Sequence, residues 1–285
     1  MTATWIVGVD GSENSLHALE WAIDQAVGRA VRLVLLSTWS PPLTAAGRFP
    51  EAAPLYDWHE FEQSLLEKTR ALASERTRDG VQLEAVVSQG PAAQALIDAS
   101  HEAELVIVGA RGLGRVKGLV LGSVSQRCAS HGVVPTAIIG PDAPLGPART
   151  AVIGFDGSPN ARGALEWALR FVDDAATITV VDALAVAPWL QDDVVRARFA
   201  KEVEAAEREF GAHMAALDPT NRAGHSFVIG DARVKLADVT RDADLLVLGA
   251  RGRGRVGALL LGSTTTWMLH NATCATVVVP SHPAA

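Results

Sequence analysis

Two glycine-rich segments of the sequence have the composition and spacing of a phosphate-binding loop. The first has the form Gly-x2-Gly-x9-Gly-Ser and contains Gly109, Gly112, Gly122 and Ser123. Glycines let main-chain N–H groups approach a phosphate closely, and a helix that begins at the Gly-Ser pair would add unpaired N–H donors and the positive end of its dipole. The serine hydroxyl could donate one more hydrogen bond. The pattern therefore predicts a site for a polyphosphate.

The same pattern recurs 140 residues further along the chain, as Gly249, Gly252, Gly262 and Ser263. Residues 103–123 and 243–263 are identical at 13 of 21 positions. Basic residues accompany both copies: Arg111, Arg115 and Lys117 in the first, and Arg251, Arg253 and Arg255 in the second. A tight turn with solvated basic side chains would explain one isolated copy equally well. Two copies with the same spacing favour anion binding.

Two better-known phosphate loops do not fit the sequence. No Gly-Lys-Ser or Gly-Lys-Thr occurs, which excludes a Walker A loop. Gly252, Gly254 and Gly257 match the letters of the dinucleotide fingerprint, but they follow the fourth predicted strand of their copy, and Lys117 replaces the third glycine in the other copy. The loops therefore predict a different kind of nucleotide site.

An aspartate ends the first predicted strand of each copy, Asp10 in one and Asp156 in the other, and each is followed by Gly-Ser. A carboxylate there could accept hydrogen bonds from ribose hydroxyls or approach a magnesium ion. The alternative is turn chemistry, because Asp-Gly favours turns and Ser12 and Ser158 are typical helix N-caps. We interpret the serines as structural and the aspartates as ligand-binding residues.

The repeat extends along the whole chain, since residues 18–22 recur letter for letter as residues 164–168. In the first copy, short apolar runs alternate with helical periodicity. The predicted strands are 5–9, 33–36, 83–87, 105–108 and 136–139, and the predicted helices after the first are 61–78, 92–100 and 119–129. Apolar strands that alternate with helices indicate parallel pairing with both sheet faces covered. Each half is therefore predicted to be a five-stranded, doubly wound α/β domain, which binds ligands beyond the carboxyl ends of its strands.

The repeat also sets the domain boundaries. The first domain is predicted at 1–140, a linker rich in proline and glycine at 141–149, and the second domain at 150–285. The offset between the copies falls from 146 to 140 along the chain, which places extra residues in the Pro-rich segment 40–54 of the first copy.

Composition excludes several classes of protein. The net charge of −7 does not suit a nucleic-acid surface, and the two cysteines, Cys128 and Cys274, share no motif for a disulfide or a metal, so we expect both to be buried. The eight histidines occupy no shared position in the two copies. The amino terminus lacks the pattern of a signal peptide, and the apolar runs are too short for a membrane helix. A cytoplasmic protein that contacts neither membrane nor nucleic acid is expected.

The Gly-x2-Gly-x9-Gly-Ser motif, preceded by a strand that ends in Asp-Gly-Ser, resembles the ATP-binding class of the universal stress protein family, and the resemblance covers the chain twice. It implies one ATP per domain, which Mg²⁺ could accompany. It places the aspartate by the ribose, the glycines and Gly-Ser on the phosphates, and the end of strand two against adenine. The residues expected to bind nucleotide are Gly8, Asp10, Thr38, Gly109, Arg111, Gly112, Gly122, Ser123, Val124 and Ser125 in the first domain, and Gly154, Asp156, Ala183, Gly249, Arg251, Gly252, Gly262, Ser263, Thr264 and Thr265 in the second.

The resemblance implies a binding and regulatory role in a stress response, with no catalytic residue assigned. The alternative is a slow ATPase or another nucleotide-dependent enzyme on the same fold. A tandem chain can imitate the common twofold dimer, so we expect the two domains to pair, and a homodimer of chains is a further option. Because the copies differ in the 40–54 segment and before the last strand, we also expect two sites of unequal adenine affinity.

Overall fold

The computed structural model describes residues 2–40, 58–77, 80–112, 121–184, 199–253 and 261–281. The chain divides into two compact units, Met1–Pro141 and Asp142–Ala285, which we call domain 1 and domain 2. Each domain alternates strands with helices, and every strand pair within a domain is parallel. The predicted α/β class is confirmed.

Domain 1 contains five strands and four α-helices among the described residues. In chain order they are β1 (Ala3–Gly8), α1 (Glu13–Ala26), β2 (Val31–Trp39), α2 (Trp58–Arg76), β3 (Gln82–Gln89), α3 (Ala92–Ala99), β4 (Leu105–Gly109), α4 (Ser123–His131) and β5 (Thr136–Ile139). The strands pair in the order β3-β2-β1-β4-β5. Strand order therefore reverses between β1 and β4, and the ends of these two strands form the expected ligand position of a doubly wound sheet.

Domain 2 repeats this order of elements. They are β6 (Thr150–Phe155), α5 (Pro159–Phe171), β7 (Thr177–Leu184), α6 (Ala200–Leu217), β8 (Gly224–Ile229), α7 (Ala232–Val239), β9 (Leu245–Gly249), α8 (Ser263–Asn271) and β10 (Ala275–Val279). The strands pair in the order β8-β7-β6-β9-β10, so the reversal lies between β6 and β9.

Apolar side chains of the strands and of the first helix form each core. In domain 1, Leu19, Trp21 and Ile23 of α1 are fully buried, and α1 contacts β4 and β5. Trp21 is therefore a core residue. Cys128 and Cys274 are buried as expected, and burial raises the pKa of both thiols to about 12, so they remain protonated at neutral pH.

The boundaries of several elements differ from the predicted ones. β2 continues to Trp39, three residues past its predicted end, because Thr38 and Trp39 still pair with β3. The helix predicted to begin at residue 119 begins at Ser123 instead, since Gly122 has the extended φ and ψ of an N-cap. The Pro-rich segment predicted to distinguish the copies, 40–54, lies outside the described residues apart from Ser40.

Candidate functional site

Each first strand ends in the same turn. The Ser12 N–H donates to Asp10 Oδ1 at 2.9 Å, and the Ser158 N–H donates to Asp156 Oδ1 at 3.0 Å. Gly11 and Gly157, which separate these residues, have φ of 79° and 75°, a conformation that favours glycine. These hydrogen bonds are the Asx-turn pattern by which aspartate stabilises a tight turn.

The serines of these turns cap the helices that follow. Ser12 Oγ accepts the Ser15 N–H at 3.2 Å, and Ser158 Oγ accepts the Ala161 N–H at 3.2 Å. The structural role assigned to Ser12 and Ser158 from sequence is confirmed. The turns thereby fix where Asp10 and Asp156 stand at the ends of β1 and β6.

The second carboxylate oxygen of each aspartate lies against the glycine loop. A Cβ on Gly112 would overlap Asp10 Oδ2, and a Cβ on Gly252 would overlap Asp156 Oδ2. In domain 2 the Arg253 N–H also donates to Asp156 Oδ2 at 2.9 Å. Asp156 therefore helps to hold the glycine loop of domain 2, a function that the sequence did not indicate, and Asp10 lies against the glycine loop of domain 1. The contact of both aspartates with ribose stays a prediction.

The other glycines of the motif allow close packing of the main chain. A Cβ on Gly109 would lie 2.7 Å from the Asn14 carbonyl oxygen at the start of α1, and a Cβ on Gly249 would lie 2.7 Å from the Asn160 carbonyl carbon at the start of α5. Helix and strand approach too closely there for any side chain. Glycine is required at these two positions whether or not a phosphate binds.

The helix that follows each glycine loop begins without a side-chain cap. The N-cap of α4 is Gly122 and that of α8 is Gly262, and neither helix has a side chain that accepts a first-turn N–H. Such N–H groups, together with the helix dipole, attract anions. The exposed Ser123 and Ser263 stand at the same two helix starts.

The third residue of each of these helices is hydrogen-bonded within the protein. Ser125 is buried, and its hydroxyl donates to the carbonyl oxygens of Ala110 at 3.0 Å and Gly122 at 2.9 Å. Thr265 is also buried and donates to the Gly249 oxygen at 2.8 Å. These hydrogen bonds hold the start of each helix against the strand end or loop before it, and contact of Ser125 and Thr265 with a nucleotide stays a prediction.

A cavity of about 310 Å³ opens at the switch point of domain 1, between the ends of β1 and β4. Its volume lies at the lower end of the range of ligand pockets. All ten residues predicted for this domain line the cavity: Gly8, Asp10, Thr38, Gly109, Arg111, Gly112, Gly122, Ser123, Val124 and Ser125. The fold therefore brings together residues that are more than a hundred positions apart in the sequence.

The cavity wall also contains residues that sequence reasoning missed. Leu36, Leu96 and Val108 give it an apolar side, and Ala92 places the start of α3 there. The N-cap of α3 is Pro91, which offers no side-chain acceptor to the first turn. A second uncapped helix start thus faces the cavity. The helix itself was predicted, at 92–100, and the Gly90-Pro91 pair before it could have indicated that its start is uncapped.

Domain 2 places its ten predicted residues at the same points of the fold. They lie at strand ends (Gly154, Asp156, Ala183, Gly249), in the loop after β9 (Arg251, Gly252) and at the start of α8 (Gly262, Ser263, Thr264, Thr265). Thr38 of β2 and Ala183 of β7 occupy corresponding positions. Gly8 pairs with Leu36, two residues before Thr38, and Gly154 pairs with Val181, two residues before Ala183. Of the basic residues, Arg115, Lys117 and Arg255 lie outside the described residues.

Domain 2 differs from domain 1 in the charge near these positions. Asp231 caps α7 by accepting the Arg233 N–H at 2.9 Å, and it pairs with the Arg233 guanidinium. Hydrogen bonds from the side chain and main chain of Arg233 lower the pKa of Asp231 to about 2. The start of α7 is therefore already capped by a carboxylate of the protein, Asp231. The start of α3, the corresponding helix of domain 1, has no such carboxylate.

Two kinds of feature are absent from the part of the chain that the structure describes. No three His, Cys, Asp or Glu side chains in that part of the chain converge as metal ligands. No described helix is long and apolar enough to cross a membrane.

Comparison with known proteins identifies the family. The sequence profile described as "Universal stress protein family" matches residues 1–140 and 147–280. Universal stress protein Rv1996 of Mycobacterium tuberculosis is 30% identical, over 98% of this chain and 96% of that protein. Universal stress protein Rv2624c of the same organism is 32% identical, but that alignment spans only 59% of this chain and 60% of the relative.

Solved structures show the same fold. A universal stress protein from Archaeoglobus fulgidus superposes with a TM-score of 0.71 at 20% sequence identity, over 99% of both chains. A protein from Pseudomonas aeruginosa described as a universal stress protein superposes with a TM-score of 0.59 at 16% identity, over 99% of this chain and 94% of the other. The chain therefore belongs to the universal stress protein family and carries two of its domains in tandem.

Proposed function

We propose that this chain binds one adenine nucleotide, ATP, in each domain and acts as a regulatory module of a stress response in the cytoplasm. The cavity of domain 1 carries the proposal, because the whole predicted residue set lines it and two uncapped helix starts open onto it. Main-chain N–H groups at such starts suit the phosphates. The apolar side formed by Leu36, Leu96 and Val108 suits a planar base.

The hydrogen bonds of the aspartates support binding without dedicated chemistry. Both carboxylate oxygens of Asp156 accept main-chain N–H groups, from Ser158 and from Arg253. Each of these oxygens has a further lone pair, so Asp156 can accept a ribose hydroxyl while both hydrogen bonds remain. A binding role keeps those hydrogen bonds.

Direct assay of the nucleotide tests the proposal. Freshly purified protein is denatured, its supernatant is chromatographed, and ATP binding to nucleotide-free protein is titrated by calorimetry with and without Mg²⁺. We expect an adenine nucleotide in the supernatant and two ATP sites per chain. Absence of both would overturn the proposal.

Two substitutions separate the sites. Gly262→Val should block the domain 2 site without loss of folding, because Gly262 has an extended backbone and its Cβ would meet no atom closer than 3.6 Å. Gly122→Val is the matched change in domain 1, where the Cβ would lie 3.2 Å from the Ala110 oxygen, so a small shift is needed. Gly140→Val is the control, since nothing lies within 4 Å of its Cβ. Each blocking variant should keep one site and the control both.

The ATPase alternative requires steady turnover. ATP hydrolysis by the wild type, measured alongside Asp10→Asn plus Asp156→Asn, decides between the two functions. Turnover that disappears in the double variant while calorimetric binding persists would favour an enzyme. Turnover at the level of the protein-free control supports the binding role.

A further inference from the structure

The two domains differ in charge at one position of the second strand. Gly8 pairs with Leu36 in domain 1 and Gly154 pairs with Val181 in domain 2, so the next residues, Ser37 and Asp182, correspond. Ser37 is buried and hydrogen-bonded to Thr69 Oγ1 at 3.0 Å and to the Val9 oxygen at 3.1 Å. A neutral hydroxyl in domain 1 is thus replaced by a carboxyl group in domain 2.

Asp182 lies in aromatic surroundings. Its partners on the neighbouring strands are Phe155 of β6 and Phe227 of β8. Phe210 of α6 has its ring centroid 5.8 Å from that of Phe155 and 6.3 Å from that of Phe227. Partial burial raises the pKa of the Asp182 carboxyl to about 6, despite the opposing influence of Arg253. The charge of Asp182 therefore changes at pH values near its pKa, whereas the hydroxyl of Ser37 stays neutral there.

Charged groups act on Asp182 from the turn after β6, from α6 and from the glycine loop. Asp156 of the first turn and Glu209 of α6 both raise its pKa, and Arg253 of the glycine loop lowers it. His213 of α6 is hydrogen-bonded through Nε2 to Arg162 of α5 at 2.7 Å, and His225 of β8 contacts the Phe210 ring. Of these groups, Arg253 is the cation that acts on the pKa of Asp182.

Arg253 connects this cluster to the proposed phosphate site. It directly follows Gly252, its N–H donates to Asp156, and its Nη2 lies 3.8 Å from Glu209 Oε1. Its side chain is 58% exposed, so the ion pair with Glu209 is weak and the guanidinium can move. The residue aligned with Arg253 in the first copy is Leu113, which has no charge. In domain 2 the Arg253 guanidinium thus lies near Glu209 and acts on the charge of Asp182, whereas the aligned residue of domain 1 carries no charge.

We propose that Asp182 is a positioning residue that couples nucleotide binding in domain 2 to proton uptake. When ionised, Asp182 acts with Glu209 to draw the Arg253 guanidinium towards α6. When protonated, it leaves Arg253 free to pair with the phosphates. The inference rests on the proposed nucleotide binding. It predicts that domain 2 binds ATP more weakly than domain 1 at neutral pH and that the affinity of domain 2 for ATP rises in acid.

Calorimetric titration of the full chain with ATP tests this at pH values from about 7.5 down to about 5. Gly122→Val blocks the site of domain 1, so this variant shows ATP binding to domain 2. Gly262→Val blocks the site of domain 2 and shows ATP binding to domain 1. Removal of one negative charge near the phosphates should strengthen domain 2 binding about ten-fold across this range, relative to domain 1. The terminal phosphate of ATP also titrates here, so each comparison is made between variants at the same pH.

Variants of domain 2 identify the residue responsible. In the Gly122→Val background, Asp182→Asn should tighten ATP binding at neutral pH and flatten its pH dependence. Arg253→Leu introduces the residue that the first copy has at the aligned position. It should weaken ATP binding and also flatten its pH dependence. Glu204→Gln is the charge control, because Glu204 is an exposed residue of α6 that pairs with Arg208. It should leave the profile unchanged.

The outcomes separate this inference from the proposed function. If Gly262→Val protein binds ATP but Asp182→Asn leaves the pH profile of domain 2 as it was, Asp182 has no such role and the nucleotide function stands. A domain 2 that binds no ATP at any pH overturns the inference and restricts the proposed function to domain 1. Loss of ATP binding from both domains of the wild type overturns both.

Discussion

Two serines near the start of α4 illustrate how the residues of one motif divide their roles. Ser125 is buried and donates to two main-chain oxygens, whereas Ser123 is exposed at the uncapped helix start. We expect Ser125→Ala to lower the free energy of unfolding by about 1 kcal/mol, because it removes a buried hydrogen bond while both carbonyl oxygens keep a main-chain donor. Ser123→Ala should leave stability unchanged and weaken ATP binding by about 1 kcal/mol.

Urea denaturation and calorimetry of both variants check this division. Thr265→Ala and Ser263→Ala provide the corresponding pair in domain 2, and Thr265→Ser is the control that keeps the donated hydrogen bond. A Ser125→Ala protein with wild-type stability and reduced ATP affinity would show that the Ser125 hydroxyl serves the ligand instead.

At the level of residues, the sequence predicted which positions matter but not always why. The spacing of Gly109, Gly112 and Gly122 was readable because it recurs 140 residues later. The reasons for the first two glycines are tertiary contacts, with the Asn14 main chain and the Asp10 carboxylate, which no local pattern reveals. Likewise, nothing near Asp182 in the sequence indicates Glu209 or Arg253.

The strand β7 carries a partly buried carboxyl group, and its titration should affect the stability of domain 2. The pKa of Asp182 is raised to about 6 in the folded state, so folding favours the protonated form. Its contribution is present at pH values below the ordinary aspartate pKa and is lost as the pH rises through about 6. Asp182→Asn should therefore raise the melting temperature at neutral pH and leave it unchanged near pH 4.

Thermal melts of ligand-free protein at these two pH values measure the effect separately from nucleotide binding. Glu204→Gln, on the exposed face of α6, serves again as the charge control. Equal melting temperatures for Asp182→Asn and the wild type at neutral pH would mean that the carboxyl group is better solvated than its aromatic neighbours indicate.

At the level of elements, periodicity predicted the order of strands and helices, because apolar strands and amphipathic helices have distinct repeats. Boundaries were less accurate where pairing or main-chain geometry decides them. Trp39 remains in β2 because it pairs with Gln89, and α4 begins only at Ser123 because Gly122 is extended. The helix α3 has no side-chain cap because Pro91 is its N-cap residue. The importance of this uncapped start for ligand binding becomes clear only from the position of Ala92 in the cavity wall.

At the level of the whole molecule, the internal repeat made the two-domain α/β organisation predictable, since each copy contains every element of the fold. The sequence could not show that the domain 1 residues share one cavity with Leu36, Leu96 and Val108, because strand register brings them together. The predicted pairing of the two domains about a twofold axis stays a prediction.

The two domains should respond to ATP separately, and hydrogen exchange can follow each one in the intact chain. The first-turn amides of α4 and α8 are the expected phosphate ligands, so ATP should protect residues 123–131 in domain 1 and 263–271 in domain 2. At an ATP concentration about 100-fold above Kd, binding stabilises the bound state by about 2.7 kcal/mol, and opening should slow about 100-fold. In Gly122→Val protein only 263–271 should be protected, and in Gly262→Val protein only 123–131. If either substitution removed protection from both helices, the domains would be coupled in binding, and the assignment of one independent site to each would fail.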